Sequence, residues 1–265
     1  QVNAFEGKRF WCSVLRPINS FGPQDNIIGL WSRTNATVTI KNSAKGYTNT
    51  VNLTANVITN VTIPATASTH DNDEQVDSFG VEIAANANIS VQINSAPNTS
   101  SSDGTYVYPI EHLGTDYYAM SFASAGVGFN QGKSSIIIVA TENNTAVEIT
   151  PSVLTQGGKP AGTPYLIVLQ KGNTYRVEAN NSEDLTGTRI RVTNGCKKIA
   201  VFSGSTCSQV PETCTNCSHL VEMMPHVDTW GKTFLVAPLT TVGFFTAKYT
   251  YRILSITNGT QVSVN

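Results

Sequence analysis

Short apolar stretches recur along the chain, and many of them alternate with polar residues. Thr37-Val-Thr-Ile40, Ala146-Val-Glu-Ile149 and Gln261-Val-Ser-Val264 each place every second side chain on one face, the period of a half-buried strand. Clusters of Asn, Gly, Ser and Thr separate these stretches at intervals of about 8–15 residues, the spacing of turns in an antiparallel sandwich. No stretch carries a 3.6-residue apolar stripe of useful length, so helix should be negligible. The pattern predicts an all-β protein of antiparallel, sandwich-like modules with about seven strands each.

The strands repeat in order. A Gly-started aromatic strand occurs as Gly7-Lys-Arg-Phe-Trp-Cys-Ser-Val-Leu15, Gly114-Thr-Asp-Tyr-Tyr-Ala-Met-Ser-Phe122 and Gly231-Lys-Thr-Phe-Leu-Val-Ala-Pro-Leu239, at spacings of 107 and 117 residues. An apolar strand, an Asn turn and an alternating strand follow each copy, at 27–40, 136–149 and 251–264. The turns Asn35-Ala, Asn143-Asn and Asn258-Gly favour positive φ, so each unit reads as a β-hairpin. Thr50–Pro64 parallels Tyr165–Ala179, Asp77–Ile83 parallels Asp184–Ile190, and Ile89–Ile93 parallels Ile199–Ser203. The reading is a first module over 1–113, a second over 114–230, and the opening strands of an incomplete third over 231–265. Two or three strands cannot bury a core alone. The third segment is therefore expected to continue in further chain, to pack on the second module, or to be donated to a neighbour.

Composition narrows the function. Charged residues are 13% of the chain and the net charge is −1. No basic run exceeds two residues, so nucleic acid is not an expected partner. No apolar run approaches the roughly 18 residues of a membrane span. The first residue is Gln1, which fits a processed chain. Nine Asn-x-Ser/Thr acceptors begin at Asn35, Asn52, Asn60, Asn88, Asn98, Asn143, Asn180, Asn216 and Asn258. Chance would supply roughly five, and several of the nine stand at turn tips, where a glycan can reach water. Of five cysteines, Cys196, Cys207, Cys214 and Cys217 fall close together while Cys12 stands apart. In an extracellular chain these four suggest one or two local disulfides stapling a loop over 196–217, with the pairing open and one thiol left over.

A set of motif words then points to a family. Ile138-Val-Ala-Thr-Glu-Asn-Asn-Thr145, Asp184-Leu-Thr-Gly-Thr188, Ile199-Ala-Val-Phe-Ser-Gly-Ser205 with Cys207, Cys217-Ser-His-Leu-Val-Glu222, and Pro225 through Trp230-Gly-Lys-Thr-Phe234 resemble the amino-terminal domain of the IgG Fc-binding protein of mucus and its extracellular relatives. The match is dense across 110–265 and weaker across 5–109. Thr213-Cys-Thr-Asn-Cys217 departs from the family pattern. The resemblance implies a secreted or surface-attached adhesion or matrix protein rather than a catalyst, and it specifies no ligand.

Several constellations carry candidate chemistry. Asp71, Asp73, Glu74 and Asp77 cluster in His70-Asp-Asn-Asp-Glu-Gln-Val-Asp77 and form a weak calcium candidate, without the glycine and ligand spacing of an EF-hand. The alternative is a solvated acidic loop. Cys207, Cys214, Cys217 and His219 have zinc-ligand character but lack a second half-site, and a disulfide staple is the simpler reading. His112, His219 and His226 lie near Glu111, Glu222 and Asp228, the raw material of a Ser–His–acid hydrolase. No Gly-x-Ser-x-Gly accompanies them. Gly126-Val-Gly128 fails the dinucleotide spacing. Trp11, Trp31 and Trp230 could line a sugar platform but fit core or module interfaces better. No cofactor is expected. The expectation is an extracellular structural or adhesive glycoprotein. Its partners would be copies of itself or other glycoproteins and glycans. A glycan- or protein-binding module acting through its loops is the alternative, and a hydrolase the remote one.

Overall fold

The computed structural model describes residues 5–18, 24–95, 101–124, 132–211, 214, 216–236 and 250–264. Nearly all regular structure there is strand. The one α-helix is the single turn α1 (Ala65–Ser68).

The first eight strands are β1 (Glu6–Cys12), β2 (Asn26–Trp31), β3 (Ala36–Asn42), β4 (Tyr47–Leu53), β5 (Thr59–Ile63), β6 (Val76–Asp77), β7 (Val81–Ser95) and β8 (Asp103–Val107). The long β7 organises them. Its first half pairs with β1 and with β3, which pairs with β4. Its second half pairs with β2 and β8, and β2 pairs with β5. A register shift between Gly7 and Arg9 of β1 marks the bulge at which β7 passes from one sheet to the other, the usual device for bending a strand. Phe10, Ile28, Leu30, Val38, Ile40, Ile83 and Val91 fill the space between.

The second eight are β9 (Asp116–Tyr118), β10 (Ser134–Ala140), β11 (Thr145–Thr150), β12 (Tyr165–Leu169), β13 (Thr174–Glu178), β14 (Arg189–Val192), β15 (Ile199–Ser208) and β16 (Ser218–Met223). β14 pairs with β9 and β11, and β11 pairs with β12. β15 pairs with β10 and β16, and β10 pairs with β13. With β14 and β15 in place of the two halves of β7, these pairings match those of the first sandwich one for one.

The hairpins expected at 27–40 and 136–149 do not form. β2 and β3 lie in opposite sheets, as do β10 and β11, so each Asn turn is an arch over the core. The turn chemistry is present in part: Asn144 has φ 54. An Asn turn between two half-apolar strands satisfies a hairpin and an arch equally well. The choice is made by β7, β14 and β15, remote strands that offer each half a better partner. In the third segment, Gly259 has φ 77 and Thr260 N donates to Thr257 O. The described residues of 250–264 show this turn without a paired strand.

Gly7, the second residue of β1, and Gly114, just before β9, are glycines because a ring presses on each. A Cβ at Gly7 would stand 2.4 Å from Cβ of Pro109, and one at Gly114 would stand 2.4 Å from Cγ of His226. In both sandwiches the loop after the last strand closes over that glycine.

In the sheet β13-β10-β15-β16, the central strands β10 and β15 are buried on both faces. Ile136, Ile138, Ala140, Val177, Ile199 and Val201 face the core of the second sandwich, with Tyr117, Val147, Ile149 and Ile190. Ile137, Val139, Ala200, Phe202, Val221 and Met223 join the core of the first. This explains the unbroken apolar run Ile136-Ile-Ile-Val-Ala140, since a strand covered on both sides has no reason to alternate. Burying each such large side chain is worth about 1.5–3 kcal/mol.

The two sandwiches also meet edge to edge. His219 N donates to Ser101 Oγ at 2.8 Å, Val221 N to Asp103 Oδ2 at 2.9 Å and Met223 N to Thr105 Oγ1 at 3.1 Å. Alternate side chains before and along β8 thus occupy alternate backbone N–H groups of β16. Thr105 Oγ1 also donates to Glu222 Oε1 at 2.6 Å. Replacing Thr105 by Val keeps the shape and leaves Met223 N without its acceptor, so stability in a urea titration should fall by about 1–3 kcal/mol.

Candidate functional site

The acidic loop after α1 forms part of the seam between the sandwiches. β6 pairs with β13, and Arg176 of β13 reaches back into the loop from a buried position. Its Nη1 donates to Asp71 O at 2.8 Å and His70 O at 3.4 Å, its Nε donates to Ser135 Oγ at 3.2 Å, and its Nη2 pairs with Glu178. The four calcium candidates scatter to separate partners. Asp71 pairs with Arg16 at 2.9 Å, Asp73 Oδ1 accepts from Glu178 N at 2.8 Å, Glu74 accepts from Thr155 Oγ1, and Asp77 pairs with Lys45 at 3.0 Å. No three His, Cys, Asp or Glu side chains gather for a metal among the described residues. The loop that resembled a ligand cluster in sequence ties one sandwich to the other.

Burial sets the charge of this seam. His70 is fully buried, and burial with the nearby Arg176 cation pushes its pKa down to about 4. Asp73 is pushed up to about 6 by burial and by the carboxylates of Glu178 and Glu74. His219, buried on β16 with Nδ1 donating to Ser205 O at 2.9 Å, is pushed down to about 4 by burial.

Cys207 and Cys217 are joined, with their Cα atoms 5.2 Å apart. The bridge spans the connection from β15 to β16. The wider staple expected from Cys196 does not form, and Cys12, Cys196 and Cys214 are free thiols. Cys196 lies exposed before β15, on the far side of that strand from the bridge. With Cys207 and Cys217 oxidised to each other, the zinc candidate loses two ligands, and His219 is committed to Ser205. Burial pushes the Cys12 thiol up to about 12, which removes the thiolate that reacts.

The hydrolase candidates divide into two groups. His219 and Glu222 lie on β16 with the partners given above, while His226, which feels the charges of Asp228 and His112, packs on Gly114 and meets Tyr117 edge-on at 6.2 Å. His226 Nδ1 is 3.6 Å from Asp228 Oδ2. Tyr117, which sequence reasoning passed over, ties two strands together. Its hydroxyl accepts from Gly114 N at 2.7 Å and donates to Ile199 O at 2.8 Å.

Trp11 is 4% exposed at the seam, beside Gly172 and under Lys171 Nζ, 5.4 Å from its ring. Trp31 is half-buried with the Arg33 guanidinium 5.4 Å from its ring, and Trp230 packs on Tyr118 at 6.1 Å. The three do not form one platform. An aromatic cluster missed in the sequence does form: Phe5 stacks on Tyr108 at 5.2 Å and tilts against Tyr106 at 5.3 Å. Of the acceptor asparagines, Asn35, Asn52, Asn60, Asn88, Asn143, Asn216 and Asn258 are exposed and Asn180 is half-buried. Asn98 and the Gly126-Val-Gly128 stretch lie outside the described residues.

Fold and surface together define an all-β, disulfide-bearing double-sandwich protein. The sequence profile of the family described as IgGFc binding protein matches residues 103–265, more than half of the chain, and the chain belongs to that family. The family is of a binding or adhesion type and typically extracellular. No curated protein matches the chain. Among solved structures, vicilin from hazelnut (Corylus avellana) is similar at 10% identity over 74% of this chain and 71% of that chain, with a TM-score of 0.24. That score is too low to transfer anything from vicilin to this protein. No described helix is long and apolar enough to cross a membrane.

Two measurements follow from the site. His70 and His219 stay neutral in the fold down to about pH 4, whereas in the unfolded chain they protonate near the ordinary pKa of about 6.5. The unfolded state therefore binds more protons in that window, and stability falls as pH drops from about 6.5 to about 4. Asp73 has the opposite sign, because the folded state holds its proton between about 6 and about 4. Melting temperature should fall on acidification over this window, and Asp73→Asn should steepen the fall. For the thiols, alkylation of the native protein should label Cys196 and leave Cys12 untouched until denaturant is added, with mass spectrometry reading both sites.

Proposed function

We propose that the chain is an extracellular structural or adhesive glycoprotein whose two sandwiches are tandem copies of one module and which assembles through strand edges or through its 231–264 segment. The observation that carries this reading is apolar surface in that segment. Phe234 is 73% exposed, Leu235 fully so, and Tyr251, Ile253 and Ile256 also face solvent. The segment repeats the strand words that fill a core in both sandwiches. Residue Arg252 ties it to the second sandwich, pairing with Asp184 at 2.8 Å and lying 4.5 Å over the Phe122 ring. Apolar side chains held in that position suit a surface supplied by a neighbour. The exposed acceptor asparagines and the Cys207–Cys217 bridge support an oxidising, extracellular setting. Catalysis forms no part of this reading.

A second reading, a glycan- or protein-binding module, is favoured by the Phe5, Tyr106 and Tyr108 cluster. Tyr106 is 51% exposed, and stacked aromatic faces suit apolar sugar faces and protein side chains alike.

Light scattering and electron microscopy of the full chain, beside one truncated after Trp230, test the first reading. The full chain should form larger species than the truncated one. A full chain that stays monomeric at every concentration overturns assembly and leaves the aromatic cluster as the better lead. Protein made in a secretory host should lose mass on enzymatic deglycosylation, and an unchanged mass overturns its description as a glycoprotein.

A further inference from the structure

The two sandwiches share one plan, so their edges can be compared position by position. β4 and β12 are the equivalent outermost strands, pairing with β3 and β11. On β4, the exposed side chains are Thr48, Thr50 and Asn52, and Asn52 begins a glycan acceptor. On β12, they are Leu166, 59% exposed, and Val168, 53% exposed. Thr39 stands opposite Thr50 and Glu148 opposite Leu166, while Thr37 stands opposite Asn52 and Ala146 opposite Val168. Val168 therefore occupies the place that Asn52 has in the first sandwich, and Leu166 that of Thr50.

Other edges carry guards of the ordinary kinds. β5 turns Asn60 and Thr62 outward, with an acceptor at Asn60. β1 exposes Lys8 and Arg9. β13 is covered by β6, and β16 by the side chains of β8. Tyr165-Leu-Ile-Val-Leu169 contains no charge, no proline and no acceptor, and among the described residues it pairs with β11 alone. Lysines flank its ends: Lys159 lies over the ring of Tyr165, the first residue of the strand, and Lys171 pairs with Glu82.

We propose that β12 is a docking edge for the β12 of a second copy, the two strands pairing antiparallel about a two-fold axis. This rests on the assembly reading above and names its surface. The strand complements itself. With Ile167 on the axis, Leu166 of each copy faces Val168 of the other on the outer face, and Tyr165 faces Leu169. The four outward apolar side chains then form one patch, and no like charges meet. Glu148, the acid beside Leu166, is already paired with Arg191 at 2.7 Å. The backbone groups on the outer side of β12 gain ladder partners, and the sheet β9-β14-β11-β12 continues into the second copy. A contact in which the same patch serves both partners closes on itself as a dimer.

Two variants of the full chain test this. Leu166→Thr/Val168→Asn gives β12 the outward residues of β4, changes only exposed positions, and should leave the melting temperature near that of wild type. Sedimentation equilibrium should show its self-association weakened by about tenfold or more. Leu166→Cys/Val168→Cys should oxidise to a covalent dimer that wild type does not form, through the facing 166–168 pairs. If wild type self-associates and the Thr/Asn variant does so equally, β12 is not the edge, and the assembly reading stands without it. If the Thr/Asn variant is monomeric but the Cys variant does not cross-link, the two-fold register is overturned and β12 receives a different strand. If wild type is monomeric throughout and the Cys variant does not cross-link, this proposal and the assembly reading fall together.

Discussion

The structure depends on one sheet whose central strands are buried on both faces. β10 and β15 carry no exposed residue along their whole lengths, and each apolar face completes the core of a different sandwich. Neither sandwich is then a free unit. The second would expose Ile137, Val139 and Phe202 without the first, and the first would lose a wall of its core. Side chains wholly removed from water on both sides of a sheet outweigh any single polar contact at the seam. The polar groups there fix register: the carboxylates of the acidic loop and the buried Arg176 guanidinium hold β6 and β13 in one alignment.

That arrangement decides what is left for function. The seam consumes the residue types that usually signal chemistry. His70 and His219 are neutral fillers, Asp73 and Glu74 are tethers, and Glu222 is a hydrogen-bond partner of Thr105. Surface character therefore resides in the outermost strands, the aromatic cluster on β8, the acceptor asparagines and the 231–264 segment. This distribution suits a protein of a binding or adhesion family, where the fold is a rigid carrier and contact is made at edges and faces.

The pairing plan that the two sandwiches share makes each an internal control for the other. Where they agree, as at the ring-pressed glycines Gly7 and Gly114, the shared feature serves the fold. Where they differ, the difference serves something else. β4 is polar and bears an acceptor, while β12 is apolar. The sheet face that is apolar and covered in the second sandwich has its counterpart around Trp31, Gln92 and Tyr106 in the first, where it is half-open.

The sequence by itself determined the strand content, the scarcity of helix and the family, because alternation, turn residues and motif words are local properties. It also marked the acceptor asparagines and the presence of a staple near Cys207. It could not choose between a hairpin and an arch for 27–40 and 136–149, since both place the same side chains on the same faces. The choice belongs to β7, β14 and β15, strands far away in the chain. Nor could it show that the acidic loop would spend its carboxylates on Arg16, Lys45, Thr155 and the backbone of Glu178. Those partners lie on other strands, and only tertiary packing brings them within hydrogen-bonding distance. The unbroken run from Ile136 to Ala140 was legible as a buried strand, but that its two faces serve two cores was decided by the docking of one sandwich on the other.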